Sequence, residues 1–144
     1  MTALVSVLLM LGLLASGCSS ESPSSAVRWQ GHVLQEVRSL GQIPVALQAA
    51  LGAGQPGIDG VADRGQPFNK TDVVDQQLPM RRFLVAGHDG RTWLVAVERG
   101  GRGYSVEVLL FEAEAPPATK RWVLLDRPDT LEDVVHQIAR REAA

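Results

Sequence analysis

Between Met80 and Asp126 the chain repeats one pattern four times: a β-rich run, then a short stretch of turn residues. The runs are Met80–Ala86, Thr92–Glu98, Tyr104–Glu112 and Lys120–Asp126. His88-Asp89-Gly90-Arg91, Arg99-Gly100-Gly101-Arg102-Gly103 and Ala113–Thr119, with its Pro116-Pro117, separate them. Asp-Gly and Gly-Gly favour hairpins because their residues supply the positive φ of tight turns. Connections this short join antiparallel neighbours, since a parallel pair needs a crossover of a dozen residues or more. The pattern predicts an antiparallel meander.

Side chains alternate across a strand, so the runs also predict faces. Trp93, Val95 and Val97 oppose Leu94, Ala96 and Glu98. Tyr104, Val106, Val108 and Leu110 oppose Ser105, Glu107, Leu109 and Phe111, and Trp122 and Leu124 oppose Arg121, Val123 and Leu125. One face reads as apolar throughout and needs a cover. The other is mixed and reads as half-exposed. Trp93, Tyr104 and Trp122, each at the start of its alternation, are expected to gather on one face, by default as a core cluster.

A cover is available at the C-terminus. Leu131, Val134, Val135 and Ile138 fall at i, i+3, i+4 and i+7, which is a helical stripe. Thr130-Leu131-Glu132-Asp133 resembles a capping box, and the acidic start and the Arg140-Arg141 end complement the helix dipole. This phase turns His136 away from the stripe and into solvent.

The N-terminal part of the folded region reads as helical. Trp29, Val33, Val37 and Leu40 recur at spacings of four, four and three, with Gly41 at the stop. Gly31 weakens that helix, and Val27, Trp29, Val33 and Val37 also fit the strand period of two. A second, short helix begins near Pro44, carries Leu47 and Leu51 one turn apart and is capped by Gly52. Ala53 to Pro79 is rich in Gly, Pro, Asn and Asp and reads as one loop of about 25 residues, far longer than the usual connection. The expected fold class is α+β: a four-stranded antiparallel β-meander, a C-terminal helix packed on one face, and N-terminal helical segments.

The first residues belong to a different category. Ala3 to Ala15 reads ALVSVLLMLGLLA, with no charge. It is too short for a membrane span, which needs about 20 apolar residues, and suits the apolar core of a secretory signal. Small residues then run straight into Cys18, the only cysteine, and Ser19-Ser20-Glu21-Ser22-Pro23-Ser24-Ser25 follows as a polar, flexible stretch.

Leu14-Ala15-Ser16-Gly17-Cys18 resembles the lipobox of bacterial lipoprotein precursors. The resemblance implies cleavage between Gly17 and Cys18, lipid on Cys18 and a bilayer as the first partner. It also implies, in a Gram-negative source, an outer-membrane location facing the periplasm, because Ser19 rather than Asp follows the cysteine. The expected organisation is then a signal peptide over 1–17, a tether over 18–25 and a single α+β domain over 26–144. Segments such as Gly60-Val61-Ala62-Asp63, Leu78–Phe83 and Gly100–Tyr104 resemble uncharacterised small envelope lipoproteins, which implies no activity. Lipid is worth about 0.8 kcal/mol per buried CH₂, and two or three chains, as the resemblance implies, hold a protein firmly. With Cys18 committed, the folded part has no thiol for a disulfide.

Little in the sequence points to chemistry. The formal net charge is -2 and the basic residues are dispersed, so the electrostatic footprint of a nucleic-acid partner is absent. No Gly-x-Ser-x-Gly elbow, His-Glu-x-x-His pair or phosphate loop occurs. No catalytic residue, metal ligand or cofactor is assigned. Asp59, Asp63, Asn69, Asp72 and Asp75 place oxygen side chains in the long loop, but not at the spacing of a calcium loop, and such residues are common turn formers. His88 beside Asp89 reads mainly as a turn residue. The binding candidates are the long loop and its neighbouring turns, represented by Asp63, Asp72 and His88. The leading expectation is a membrane-anchored, non-catalytic binding or accessory module for another envelope component. The alternative is a small periplasmic enzyme or ligand carrier that uses the 53–79 loop.

Overall fold

The computed structural model describes residues 25–144. Seven strands form one sheet: β1 (Ala26–Trp29), β2 (His32–Val37), β3 (Gly57–Ala62), β4 (Pro79–His88), β5 (Trp93–Arg99), β6 (Ser105–Glu112) and β7 (Ala115–Leu124). The order is β1-β2-β4-β5-β6-β7, with β3 beside the first half of β4. Neighbours are antiparallel except for β3 and β4. Two α-helices complete the fold, α1 (Val45–Leu51) and α2 (Leu131–Glu142), with a single 3₁₀ turn at Leu40–Gln42. The protein is therefore mostly β. The expected α+β fold, a four-stranded meander with N-terminal helices, is corrected on both counts.

The first correction lies at Ala26–Val37, where a helix was expected and a hairpin stands. Gln30 and Gly31 both take positive φ, 46° and 83°, the backbone of a two-residue hairpin turn rather than of a helix. Trp29 then pairs with His32 and Ala26 with Gln35. The helical spacing of Trp29, Val33, Val37 and Leu40 was a coincidence of the two periods: Val33 is 48% exposed, while Leu34 is fully buried. The second correction is β3, which lies in the first half of the expected loop and leaves Asp63 to Leu78 as the connection into β4.

The third correction concerns the faces. Both are covered. On one, α2 lays Leu131, Val134, Val135 and Ile138 over Leu84, Leu94, Ala96, Val106, Val108, Trp122 and Leu124. On the other, Leu40, Ile43, Leu47 and Leu51 lie over Phe83, Val95, Val97 and Phe111. Trp93 belongs to the second face and Trp122 to the first, so the aromatic gathering does not form.

Local chemistry explains the positions of the helices. Thr130 Oγ1 accepts from Asp133 N at 3.1 Å and Asp133 Oδ2 accepts from Thr130 N at 3.0 Å, so the capping box is closed. Glu36 on β2 reaches across to accept from Leu131 N at 2.9 Å, which ties the start of α2 to the sheet. Gly87 lets the helix come close, because a Cβ there would lie 2.5 Å from Leu131 Cδ2. α1 ends on Gly52 at φ 83°, where a Cβ would lie 1.9 Å from the Asp59 carbonyl oxygen; only glycine fits both the left-handed turn and the close strand.

Between Phe83 and Val85, β4 carries a bulge that frees the Leu84 carbonyl from regular pairing. Arg64 Nη1 donates to that oxygen at 2.6 Å. Asn69, 3% exposed, closes the connection from β3 to β4: its Nδ2 donates to the Asp75 and Leu78 carbonyls, each at 2.9 Å, and its Oδ1 accepts from Asp75 N at 2.8 Å. The segment is a compact, internally bonded loop rather than a free one.

Candidate functional site

The three expected binding residues are not brought together. Asp63 works within the fold: its Oδ1 accepts from Leu40 N at 2.8 Å and Arg64 N at 2.7 Å, and its Oδ2 accepts from the Ser39 hydroxyl at 3.2 Å. Asp72 is exposed in the loop before β4 begins, and His88 ends β4. Ten residues of strand, about 30 Å, separate those two ends. Nor do the oxygen side chains of the loop form a cation site, since among the described residues no three or more acidic, His or Cys side chains group around a common point. Gly17 and Cys18 lie outside the described residues.

At the His88 end, the turns meet. The His88 ring stacks on Trp93 with centroids 4.3 Å apart and planes 9° from parallel. Asp89 accepts from Thr92 N at 2.7 Å and Arg91 N at 3.0 Å, and its other oxygen lies 2.6 Å from His32 Nδ1. These interactions, first the Thr92 amide and then the His32 ring, pull the Asp89 carboxyl from 3.8 down to about 2. A depressed acid stabilises the fold above its unfolded value and loses that contribution as pH falls through its folded value. Asp89→Ala should therefore be destabilising at neutral pH, and its deficit against the wild type should shrink between about pH 4 and pH 2. Denaturant midpoints across that range check this.

The sequence did not reveal a charged cluster on the α2 side. Glu98 is 2% exposed. Its carboxylate accepts from Arg82 Nε at 2.7 Å, from the Tyr104 hydroxyl at 2.8 Å and from Arg127 Nε at 3.3 Å. Arg82 in turn lies over the Phe68 ring, 4.3 Å from its centroid. Burial, and then the hydrogen bond donated to Glu98, push the Tyr104 hydroxyl up to about 12, which keeps it a donor. Four segments distant in sequence are joined through one carboxylate. Its oxygens are engaged on every side, so the cluster is a structural node.

The other face of the same end is different. Arg81 and Arg99 stand directly opposite on β4 and β5, and Arg99 faces Ser105 on β6. Arg81 Nη2 donates to the Leu51 carbonyl at 2.8 Å and to the Asp59 carbonyl at 2.7 Å, fastening α1 and β3 to β4. Burial lowers its pKa from the usual arginine value. Arg121 on β7 pairs with Glu107. Among the described residues no carboxylate pairs with Arg99.

Past these arginines the cover ends. Val123 is 44% and Leu125 85% exposed. The same end of the sheet carries exposed Ile58, Tyr104, Val73 and Val74, the last two on the loop before β4. Ala26 pairs with Gln35 and Gln35 with His88, so β1 begins level with the opposite, His88 end of β4. No protein-family model, curated protein or solved structure matches the chain.

Proposed function

We propose that the chain is an envelope lipoprotein, held on a bilayer by lipid on Cys18, whose folded domain is a non-catalytic binding module for another envelope component. One observation carries the binding role. Both sheet faces are covered by helices, yet Ile58, Val73, Val74, Tyr104, Val123 and Leu125 are left exposed at one end. Val33 and Val45 are exposed elsewhere, but most of the exposed large apolar side chains stand at this end, and apolar exposure of this kind marks contact surfaces.

The anchor rests on the apolar run, the small residues and Cys18, which follow one another without interruption. Seven residue steps separate Cys18 from Ser25, a reach of at most about 25 Å, so lipid on that cysteine would hold the domain near the bilayer. Confinement of this kind raises the effective concentration of partners on the same membrane, and a modest contact then suffices.

Cys18→Ser should abolish incorporation of labelled palmitate and shift the protein out of the lipid-modified membrane fraction. An unmodified Cys18 in the intact mass of the wild type would overturn the anchor. For the binding role, site-specific crosslinkers at Val73 and Leu125 should trap one discrete adduct in intact cells, whereas one at His136 should not. Diffuse labelling from all three sites, or hydrolysis of a cell-wall or ester substrate by the pure protein, would overturn that part.

A further inference from the structure

We infer that the cleft beside β3 is a binding site for an uncharged, N-acetylated sugar. The site is separate from the exposed apolar end, and takes from the reading above only the envelope as the place where such sugars are met. The cleft lies between the Leu40–Gln42 turn, residues 53–56, β3 and the start of β4. Its volume is about 570 Å³, within the usual range of a small-molecule site.

Gln48, Gln55, Gln66 and Gln77 line it. The fold fixes the backbone of the last three and leaves their amides unspent. Gln55 N donates to the Gly52 carbonyl at 3.2 Å, Gln66 N to the Asp63 carbonyl at 3.1 Å and Gln77 N to Asp75 Oδ1 at 2.9 Å. Asn69, bonded to Asp75 and Leu78, steadies the segment that carries Gln77. Among the described residues the side-chain amides of Gln55, Gln66 and Gln77 make no hydrogen bond. Gln48 Nε2 donates to the Ile43 carbonyl at 2.7 Å, which holds that side chain and leaves Oε1 as a free acceptor. A fixed backbone confines the freedom lost on binding to the side chains themselves.

The chemistry of the lining selects the ligand. Asp63 is the one charged residue along it, and its oxygens are taken by Leu40 N, Arg64 N and the Ser39 hydroxyl. A charged ligand would shed water there without gaining an ion pair. A primary amide offers both donor and acceptor. An acetamido group presents a C=O and an N–H pointing apart, which two separate glutamines can meet, and Leu40 and Val61 give its methyl an apolar wall. An extended peptide finds no ladder to join at Val61. Val61 N already donates to the Gly52 carbonyl at 2.9 Å, and the Val61 carbonyl accepts from Gly54 N at 3.4 Å. No aromatic ring stands among the lining residues, so affinity should be modest, with a dissociation constant on the order of a millimolar.

The probe is the N-acetylglucosamine dimer, titrated against the purified full-length protein in a detergent without a sugar headgroup and followed by NMR of the labelled amides. Cellobiose, with hydroxyls in place of the acetamido groups, and N-acetyl-trialanine amide are the comparators. The dimer should shift the side-chain amide signals of Gln55, Gln66 and Gln77 saturably, with an affinity indifferent to salt. Gln66→Ala with Gln77→Ala should weaken binding about tenfold, as the loss of two neutral hydrogen bonds predicts, while the thermal midpoint stays at the wild-type value. Gln76→Ala, next along the chain and outside the cleft, should change neither. Absence of saturable shifts, an equal response to cellobiose, a preference for the peptide or unchanged binding by the double variant would each overturn the inference. The mass of Cys18 and crosslinking at Val73 and Leu125 report on the anchor and the other surface, so failure there and failure here are distinct results.

Discussion

Leu131→Ala should lower the unfolding free energy by about 2–5 kcal/mol, and Ile138→Ala by a similar amount. Both side chains are fully buried on the sheet-facing side of α2, and each removal leaves a cavity against the sheet. Leu131 is also the side chain seated over Gly87, where nothing nearby can take its place. A stability of about 5–15 kcal/mol is ordinary for a domain, so either change takes a large share of it. His136→Ala is the internal control. That side chain is 68% exposed and only 3.9 Å from Glu132, a solvated helix-surface pair worth little. Urea midpoints should separate the two buried positions from His136. A His136 variant as unstable as the Leu131 variant would contradict the packing of α2.

Glu98→Ala should be comparably damaging, by about 3–5 kcal/mol, for a different reason. It removes no large apolar volume. It strips the shared acceptor from Arg82, Tyr104 and Arg127 and leaves Arg82, with a side chain only 15% exposed, without its carboxylate. Arg127, 41% exposed, can turn to water, so the loss should fall toward the lower end of that range. Glu98→Gln should recover part of the stability, because an amide oxygen still accepts while the charge is gone. Near-wild-type stability of the alanine variant would remove Glu98 from its role as a node.

The elements that proved legible in the sequence are those whose signals are local. α2 carries its stripe, its closed capping box and its terminal charges within a dozen residues, and it forms as expected. The hairpin at Asp89-Gly90 and the glycine-rich turn before Ser105 also fall where turn chemistry places them. α1 starts after Pro44 and stops at Gly52. What failed depended on partners far away. β1 and β2 are strands because Gln30-Gly31 turns and because β4, about fifty residues on, supplies an edge for β2. β3 reads as loop because Gly57 and Gly60 dilute its strand signal; a Cβ at Gly60 would lie 1.8 Å from the Gln55 carbonyl oxygen.

The candidate site was less legible still. Asp63 and Asn69 resemble binding residues in the sequence, yet Asp63 is spent on the Leu40 and Arg64 amides and the Ser39 hydroxyl, and Asn69 on the backbone of its own loop. Glu98 gave no signal, because its partners come from three other segments. The exposed end was invisible for a related reason: Val123 and Leu125 look like ordinary strand residues until the reach of α1 is known.

Covering both faces of the sheet has a cost outside the native state. Strands with no water-facing side become almost unbroken hydrocarbon, as at Phe83–Ala86 and Trp93–Val97. In an open chain such windows are uncharged and rich in β-forming residues, the composition that nucleates intermolecular aggregates. His88-Asp89 and Glu98-Arg99 flank them as gatekeepers. The native sheet also needs β2 to find β4 and α2 to settle over strands drawn from across the chain, and non-local pairings of this kind assemble slowly. While that search continues, neighbouring chains compete for the same sticky windows, so crowding of newly made molecules becomes the hazard that the finished fold conceals.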